Sequence, residues 1–125
     1  MTSHTILVVE DSPDLADSLY DLLEMNDFTP IIARNGKEGL ALALEKKPDL
    51  VILDIRLPDI DGYEVYSQIR QDAAWGKTAK VLILTASESI ENISKNVDLP
   101  IKYVLFKPEL SVAELVEHIK ERLAD

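Results

Sequence analysis

The sequence predicts a three-layer α/β fold, one parallel sheet of five strands with helices on both faces. Three observations predict it. Short apolar runs alternate with amphipathic stretches along the whole chain, the pattern of a parallel sheet covered on both sides. The runs at 5–9, 49–53 and 80–84 are apolar at nearly every position rather than at every second one, as strands buried on both faces require. A proline, Pro30, interrupts the second run alone. Because proline cannot donate to a ladder, that strand belongs at an edge.

Each element has its own warrant. Residues 5–9 (Thr-Ile-Leu-Val-Val) form the first strand. Ser12 then offers an N-cap, with Pro13 at the first helical position. Leu15, Leu19, Leu22 and Leu23 follow at helical spacing, which gives a helix over 13–26. Residues 28–33 are the edge strand. A second helix covers 36–47, with Leu40, Leu42 and Leu44 among alanines and Pro48 closing it. Residues 49–53 are the third strand. A short helix spans 63–71 with Val65, Tyr66 and Ile69 inward, and 73–79 connects it to the fourth strand at 80–84. Residues 88–96 make a helix with a thin apolar stripe of Ile90, Ile93 and Val97. Residues 103–106 are the fifth strand. The last helix, 111–123, opens with the capping-box pattern Ser111-x-x-Glu114. The flavodoxin-like strand order 2-1-3-4-5 places the proline-bearing strand at the edge, and its ligands bind beyond the carboxyl ends of the strands.

The 125 residues fit one domain over 1–125. With no cysteine, disulfide scaffolds, thiolate metal sites and thiol nucleophiles are excluded. No apolar stretch approaches the ~20 residues of a membrane span, and the start lacks the pattern of a signal peptide. A cytoplasmic protein with no membrane contact is therefore expected. Against 23 acidic residues stand 13 Lys and Arg, a net charge of −10. Seven of the acids, and no base, lie in residues 1–33. No basic stripe could neutralise a run of phosphates, so direct nucleic-acid binding is not expected.

The residues at the strand ends carry the chemistry. Glu10 and Asp11 follow the first strand, Asp54 the third, Thr85 the fourth and Lys107 the fifth. In the expected strand order these side chains converge. Three crowded carboxylates repel one another unless a cation compensates, and oxygen-only ligands suit a hard ion such as Mg²⁺. A lysine and a hydroxyl on the opposite wall complete a site for a phosphoryl group held between metal and ammonium. Taken singly, each residue has a plainer reading: Asp11 as a helix cap, Asp54 as a turn former before Pro58, Asp59, Asp61 and Gly62, Thr85 as an ordinary strand-end residue and Lys107 as a solvated lysine before a proline. Their joint placement outweighs those readings. His4 and His118 are assigned no role, and Trp75, Tyr103 and Phe106 are read as packing residues.

With these residues in view, the whole chain resembles the receiver domains of two-component response regulators. The resemblance is carried by Glu10-Asp11, by Asp54 in Leu53-Asp-Ile-Arg-Leu-Pro-Asp-Ile-Asp-Gly62, by Thr85-Ala86 and by Lys107-Pro108. It implies that Asp54 accepts a phosphoryl group from a histidine kinase or histidine phosphotransfer protein. It implies Mg²⁺ as cofactor, held by Glu10, Asp11, Asp54 and the backbone carbonyl of Arg56. Thr85 and Lys107 would bind phosphoryl oxygens, a cis peptide would precede Pro108, and Arg56 and Ser87 would tune dephosphorylation. Such a domain is no turnover enzyme; its chemistry is its own phosphotransfer and dephosphorylation. Its fourth helix, fifth strand and fifth helix would form the surface for an effector, an output domain or a second copy.

Rival chemistries fail on particular residues. A dehalogenase-type phosphatase needs an acid two residues after its aspartate, where Arg56 stands. A flavin binder needs a first loop that cradles phosphate, and Glu10-Asp11 would repel it. An EF-hand loop with Gly62 as its sixth position would begin at Leu57 and end at Gln68, wrong at both ends. One alternative of another class stands: a receiver-like interaction module weakly coupled to phosphorylation. Most receivers carry an aromatic residue three positions before the lysine, and here that position is Val104, with Tyr103 one residue earlier. The glycine–alanine approach to the fifth strand is also replaced, by residues 97–102.

Overall fold

In a computed structural model that describes residues 3–125, the strands pair in parallel in the order β2-β1-β3-β4-β5. The strands are β1 (Thr5–Val9), β2 (Thr29–Ala33), β3 (Leu50–Asp54), β4 (Val81–Thr85) and β5 (Val104–Phe106). The helices are α1 (Pro13–Met25), α2 (Gly36–Lys46), α3 (Gly62–Arg70), α4 (Ile90–Val97) and α5 (Val112–Ala124). Met1 and Thr2, part of the start read for a signal peptide, lie outside the described residues. Among the described residues no helix is long and apolar enough to cross a membrane.

The expected order is the observed one, and its physical reason holds. Every residue of β3 and β4 is buried, and so is all of β1 after Thr5, because helices cover both faces of these strands. Pro30 lies on the edge strand opposite Ile6. α2, α3 and α4 pack in succession on one face, while α1 and α5 flank a shared apolar groove on the other.

Local chemistry sets the boundaries. Ser12, Asn35, Asp61, Ser89 and Ser111 each cap the helix that follows, accepting the backbone N–H three residues on. The capping box of α5 is complete. α2 ends one residue earlier than expected, because Lys47 takes the left-handed conformation with φ 46°. Its packing also differs from a leucine-faced helix: Gly36, Gly39 and Ala43 are buried while Leu44 is exposed. The cause is a close approach to the sheet, since a Cβ at Gly39 would lie 2.7 Å from the Val9 side chain.

β5 starts one residue later than expected. Pro100 leads into a 3₁₀ turn over Ile101–Tyr103, closed by the Tyr103 N–H on the Pro100 carbonyl at 2.9 Å. Tyr103 thus leaves the strand. Its ring lies beneath the Arg122 guanidinium, 4.0 Å away, and its hydroxyl donates to Asp125.

Candidate functional site

Four of the expected residues meet at the carboxyl end of the sheet. The N–H of Glu10 continues the β1–β2 pairing onto the Ala33 carbonyl at 3.0 Å, which turns its side chain inward; the residue is 1% exposed. Asp54 is the last residue of β3 and 4% exposed. Asp11, exposed on the loop before α1, lies beside them. One carboxylate oxygen from each of the three lies within 4.8 Å of the others.

Lys107 faces this cluster. Its ammonium donates to Glu10 Oε1 at 2.7 Å and to Asp54 Oδ2 at 2.7 Å. The remaining oxygens are held by backbone: Ser12 N–H donates to Glu10 Oε2 at 3.1 Å, and Arg56 N–H to Asp54 Oδ1 at 3.0 Å. Burial raises the pKa of Glu10, and the hydrogen bonds from Lys107 and Ser12 offset this only in part. Burial works against the Lys107 ammonium, but the bonds to Asp54 and Glu10 outweigh it and hold its pKa above the ordinary value.

The donor set fits a hard divalent cation. Three carboxylates and one ammonium leave a formal charge of −2, every side-chain acceptor is oxygen, and the acids are close enough to share one ion. The cluster can therefore hold a metal.

One expectation is corrected. The peptide before Pro108 is trans, as are all peptide bonds among the described residues. Pro108 sits in a 3₁₀ turn, Lys107–Glu109, closed by Leu110 N–H on the Lys107 carbonyl at 3.1 Å, and the two carboxylates aim the lysine. Thr85, fully buried at the end of β4, does not turn its hydroxyl to the acids. That hydroxyl accepts the Glu88 N–H at 3.0 Å and donates to the Glu88 carbonyl at 3.2 Å, a local turn that competes with the pocket for the same group.

One residue at the site, Glu88, is not singled out by the sequence. Glu88 takes the Arg56 guanidinium on one carboxylate oxygen at 2.5 Å and the Tyr63 hydroxyl on the other at 2.8 Å. Only the threonine-to-acid spacing of three could have suggested it. Gly62 passes directly over the end of β3: its N–H bonds the Ile55 carbonyl at 2.9 Å, and a Cβ there would lie 2.6 Å from the Asp54 carbonyl oxygen. Asp59 spends both carboxylate oxygens on the N–H groups of Gly36 and Lys37, at 2.7 and 2.9 Å, capping α2 rather than facing a metal.

Comparison with known proteins matches nearly the whole chain. The family model described as the response regulator receiver domain matches residues 6–120. The response regulator MprA of Mycolicibacterium vanbaalenii is 33% identical over 94% of this chain and 49% of its own length. The chain thus spans about half the length of the curated relative it matches. Among solved structures, a CheY-like response regulator receiver domain protein from Methanospirillum hungatei superposes with TM-score 0.86 at 29% identity, covering 98% of this chain and 95% of the other. A response regulator from Chloroflexus aurantiacus gives TM-score 0.85 at 31% identity, covering 99% and 100%.

Proposed function

This chain belongs to the response regulator receiver domain family, whose members act in two-component signal transduction, and from that premise we propose that Asp54 is its phospho-acceptor. The donor is a histidine kinase or a histidine phosphotransfer protein. The observation that carries the reading is the Lys107 ammonium, 2.7 Å from both Glu10 and Asp54 in a buried acidic cluster at the strand ends.

An Asp54 oxygen attacks phosphorus in line, the bond from phosphorus to the donor nitrogen breaks, and an acyl phosphate forms. Lys107, already beside Asp54, pairs with a phosphoryl oxygen where charge develops. Thr85 donates its hydroxyl to another, once released from the Glu88 carbonyl. Glu10, Asp11, Asp54 and the Arg56 carbonyl are the residues that would hold Mg²⁺. When bound, such an ion offsets the negative charge of the acids and of the incoming phosphoryl group. Hydrolysis by water returns Asp54 to its carboxylate, so the domain switches rather than turns over an external substrate.

The modified state is relayed through the surface of α4, β5 and α5 to a protein effector, an output domain or a second copy. A second reading is favoured by the observation that Tyr103 is fastened to α5 by Arg122 and Asp125 while Val104 fills the position three before the lysine. On that reading the domain binds its partner with little dependence on phosphorylation. Partner binding or self-association with equal affinity before and after modification would select it.

The acceptor is tested by incubating the protein with Mg²⁺ and acetyl phosphate and measuring intact mass. One phosphoryl adduct is expected, absent from Asp54→Asn. No adduct in the parent, or an adduct that survives the substitution, overturns the assignment.

A further inference from the structure

The hydroxyl of Thr85 carries one proton, and in this structure it donates that proton in a hydrogen bond to the Glu88 carbonyl. If the hydroxyl donates to a phosphoryl oxygen on Asp54 instead, the Glu88 backbone loses its bond and the turn over 85–88 must rearrange. Glu88 is not free to move alone. Its half-buried carboxylate holds the Tyr63 hydroxyl at 2.8 Å and the Arg56 guanidinium at 2.5 Å. Arg56 in turn holds Asp54 Oδ1 through its N–H at 3.0 Å. One residue therefore joins the two walls of the pocket, by its backbone to Thr85 and by its side chain to the segment after Asp54 and the first turn of α3. Tyr63 lines an open groove between α3 and α4, with Asn96 and Val97 opposite. Burial first, and then the bond to Glu88, hold its phenol above the ordinary pKa, as suits a donor committed to a carboxylate.

We infer that Glu88 is a positioning residue that couples the Thr85 hydroxyl to Tyr63, so that modification of Asp54 is reported in the α3–α4 groove by displacement of the Tyr63 phenol. The inference rests on the acceptor reading above and adds the path by which the state leaves the site. Before modification the latch holds Thr85 on its own loop. Afterwards the turn shifts, and Glu88 carries Tyr63 with it.

The test uses the full chain with its four tyrosines replaced by fluorotyrosine, observed by fluorine NMR, with the Tyr63 signal identified by Tyr63→Phe. Mg²⁺ with beryllofluoride serves as the phosphoryl mimic, and its bound-fluoride signal reports occupancy. In occupied protein the Tyr63 signal is expected to move further than those of Tyr20, Tyr66 and Tyr103. In Glu88→Ala it should start displaced and move less than half as far. Glu88→Gln, which keeps an oxygen for the phenol, should return the starting position toward the parent's. Occupied protein in which Tyr63 moves no further than Tyr20, or in which Glu88→Ala moves as far as the parent, overturns the coupling. A bound-fluoride signal that never appears overturns the acceptor reading and the coupling with it.

Discussion

Replacing Lys107 with methionine should destabilise the domain in metal-free buffer and make it gain more from Mg²⁺ than the parent does. The ammonium lies 2.7 Å from Glu10 Oε1 and 2.7 Å from Asp54 Oδ2, and these acids are 1% and 4% exposed. At an effective dielectric near 20, each contact is worth about 6 kcal/mol before desolvation is charged against it. Removing one partner of a buried pair costs about 3–5 kcal/mol, because a charge is left uncompensated. The Lys107 side chain keeps 21% of its exposure, so the lower end, about 3 kcal/mol, is expected. The assay is urea unfolding at neutral pH, in chelator and in Mg²⁺. In the parent the ammonium occupies oxygens that a metal ion also needs; in the variant the ion has them alone. Binding ten times tighter would add about 1.4 kcal/mol to the variant's gain from Mg²⁺. Acid gives a second check. Because burial raises the pKa of Glu10, the folded state binds more protons than the unfolded state above the ordinary value of 4.5. Stability from this group therefore falls as pH rises through that window and returns as pH falls. Without Lys107 the rise is larger, so the gap between variant and parent should narrow in acid. A variant as stable as the parent in chelator, or a deficit unchanged by Mg²⁺, would refute the ammonium as the cluster's resident cation.

Two further outcomes follow from the same geometry. Gly62→Ala places a methyl group 2.6 Å from both the Asp54 carbonyl oxygen and the Ile55 Cα, backbone atoms that cannot rotate away. A loss of about 1–3 kcal/mol in urea unfolding is expected, with slower labelling by acetyl phosphate because the displaced backbone is that of the proposed acceptor. At the alkaline end, the raised pKa of Lys107 means that its stabilisation is complete below the ordinary 10.5 and is lost as pH rises through the folded-state value. The stability difference between the parent and Lys107→Met, followed across that range by denaturation, should therefore shrink with rising pH; a constant difference would contradict it.

Much of this was legible in the sequence for reasons that can be named. Continuous apolar runs marked the central strands because only strands buried on both faces tolerate them, and Pro30 marked the edge because a missing N–H matters least there. The acids and Lys107 were legible because a strand order converts distant sequence positions into neighbours at the strand ends. What the sequence concealed depends on competition between partners. Thr85 could face the acids or its own loop, and the Glu88 backbone wins in this structure. Lys107 could be aimed by the peptide beyond it or by carboxylates, and the carboxylates are what it meets. α2 carries more leucine than it buries, because the glycine at position 39 lets the helix approach Val9 closely. Spacing alone cannot rank such contests.

The acidity of the chain bears differently on its parts. The acids of α1 are exposed, and one of them, Asp17, meets Arg34 at 3.4 Å across solvent, a pair that contributes little. The pocket acids are another matter, because two of them are buried and share a single ammonium. Lys107 can satisfy Glu10 and Asp54 together, but a phosphoryl group on Asp54 would draw it to that side. Glu10 would then lose its closest cation, and with a pKa already raised by burial it would require a metal ion or a proton in its place. On the proposed function, phosphoryl transfer and metal binding would thereby be linked through one lysine: whatever pulls Lys107 away from Glu10 would make the cluster a stronger site for a divalent cation. A bound cation, by the same reciprocity, would free the lysine to meet the phosphoryl group.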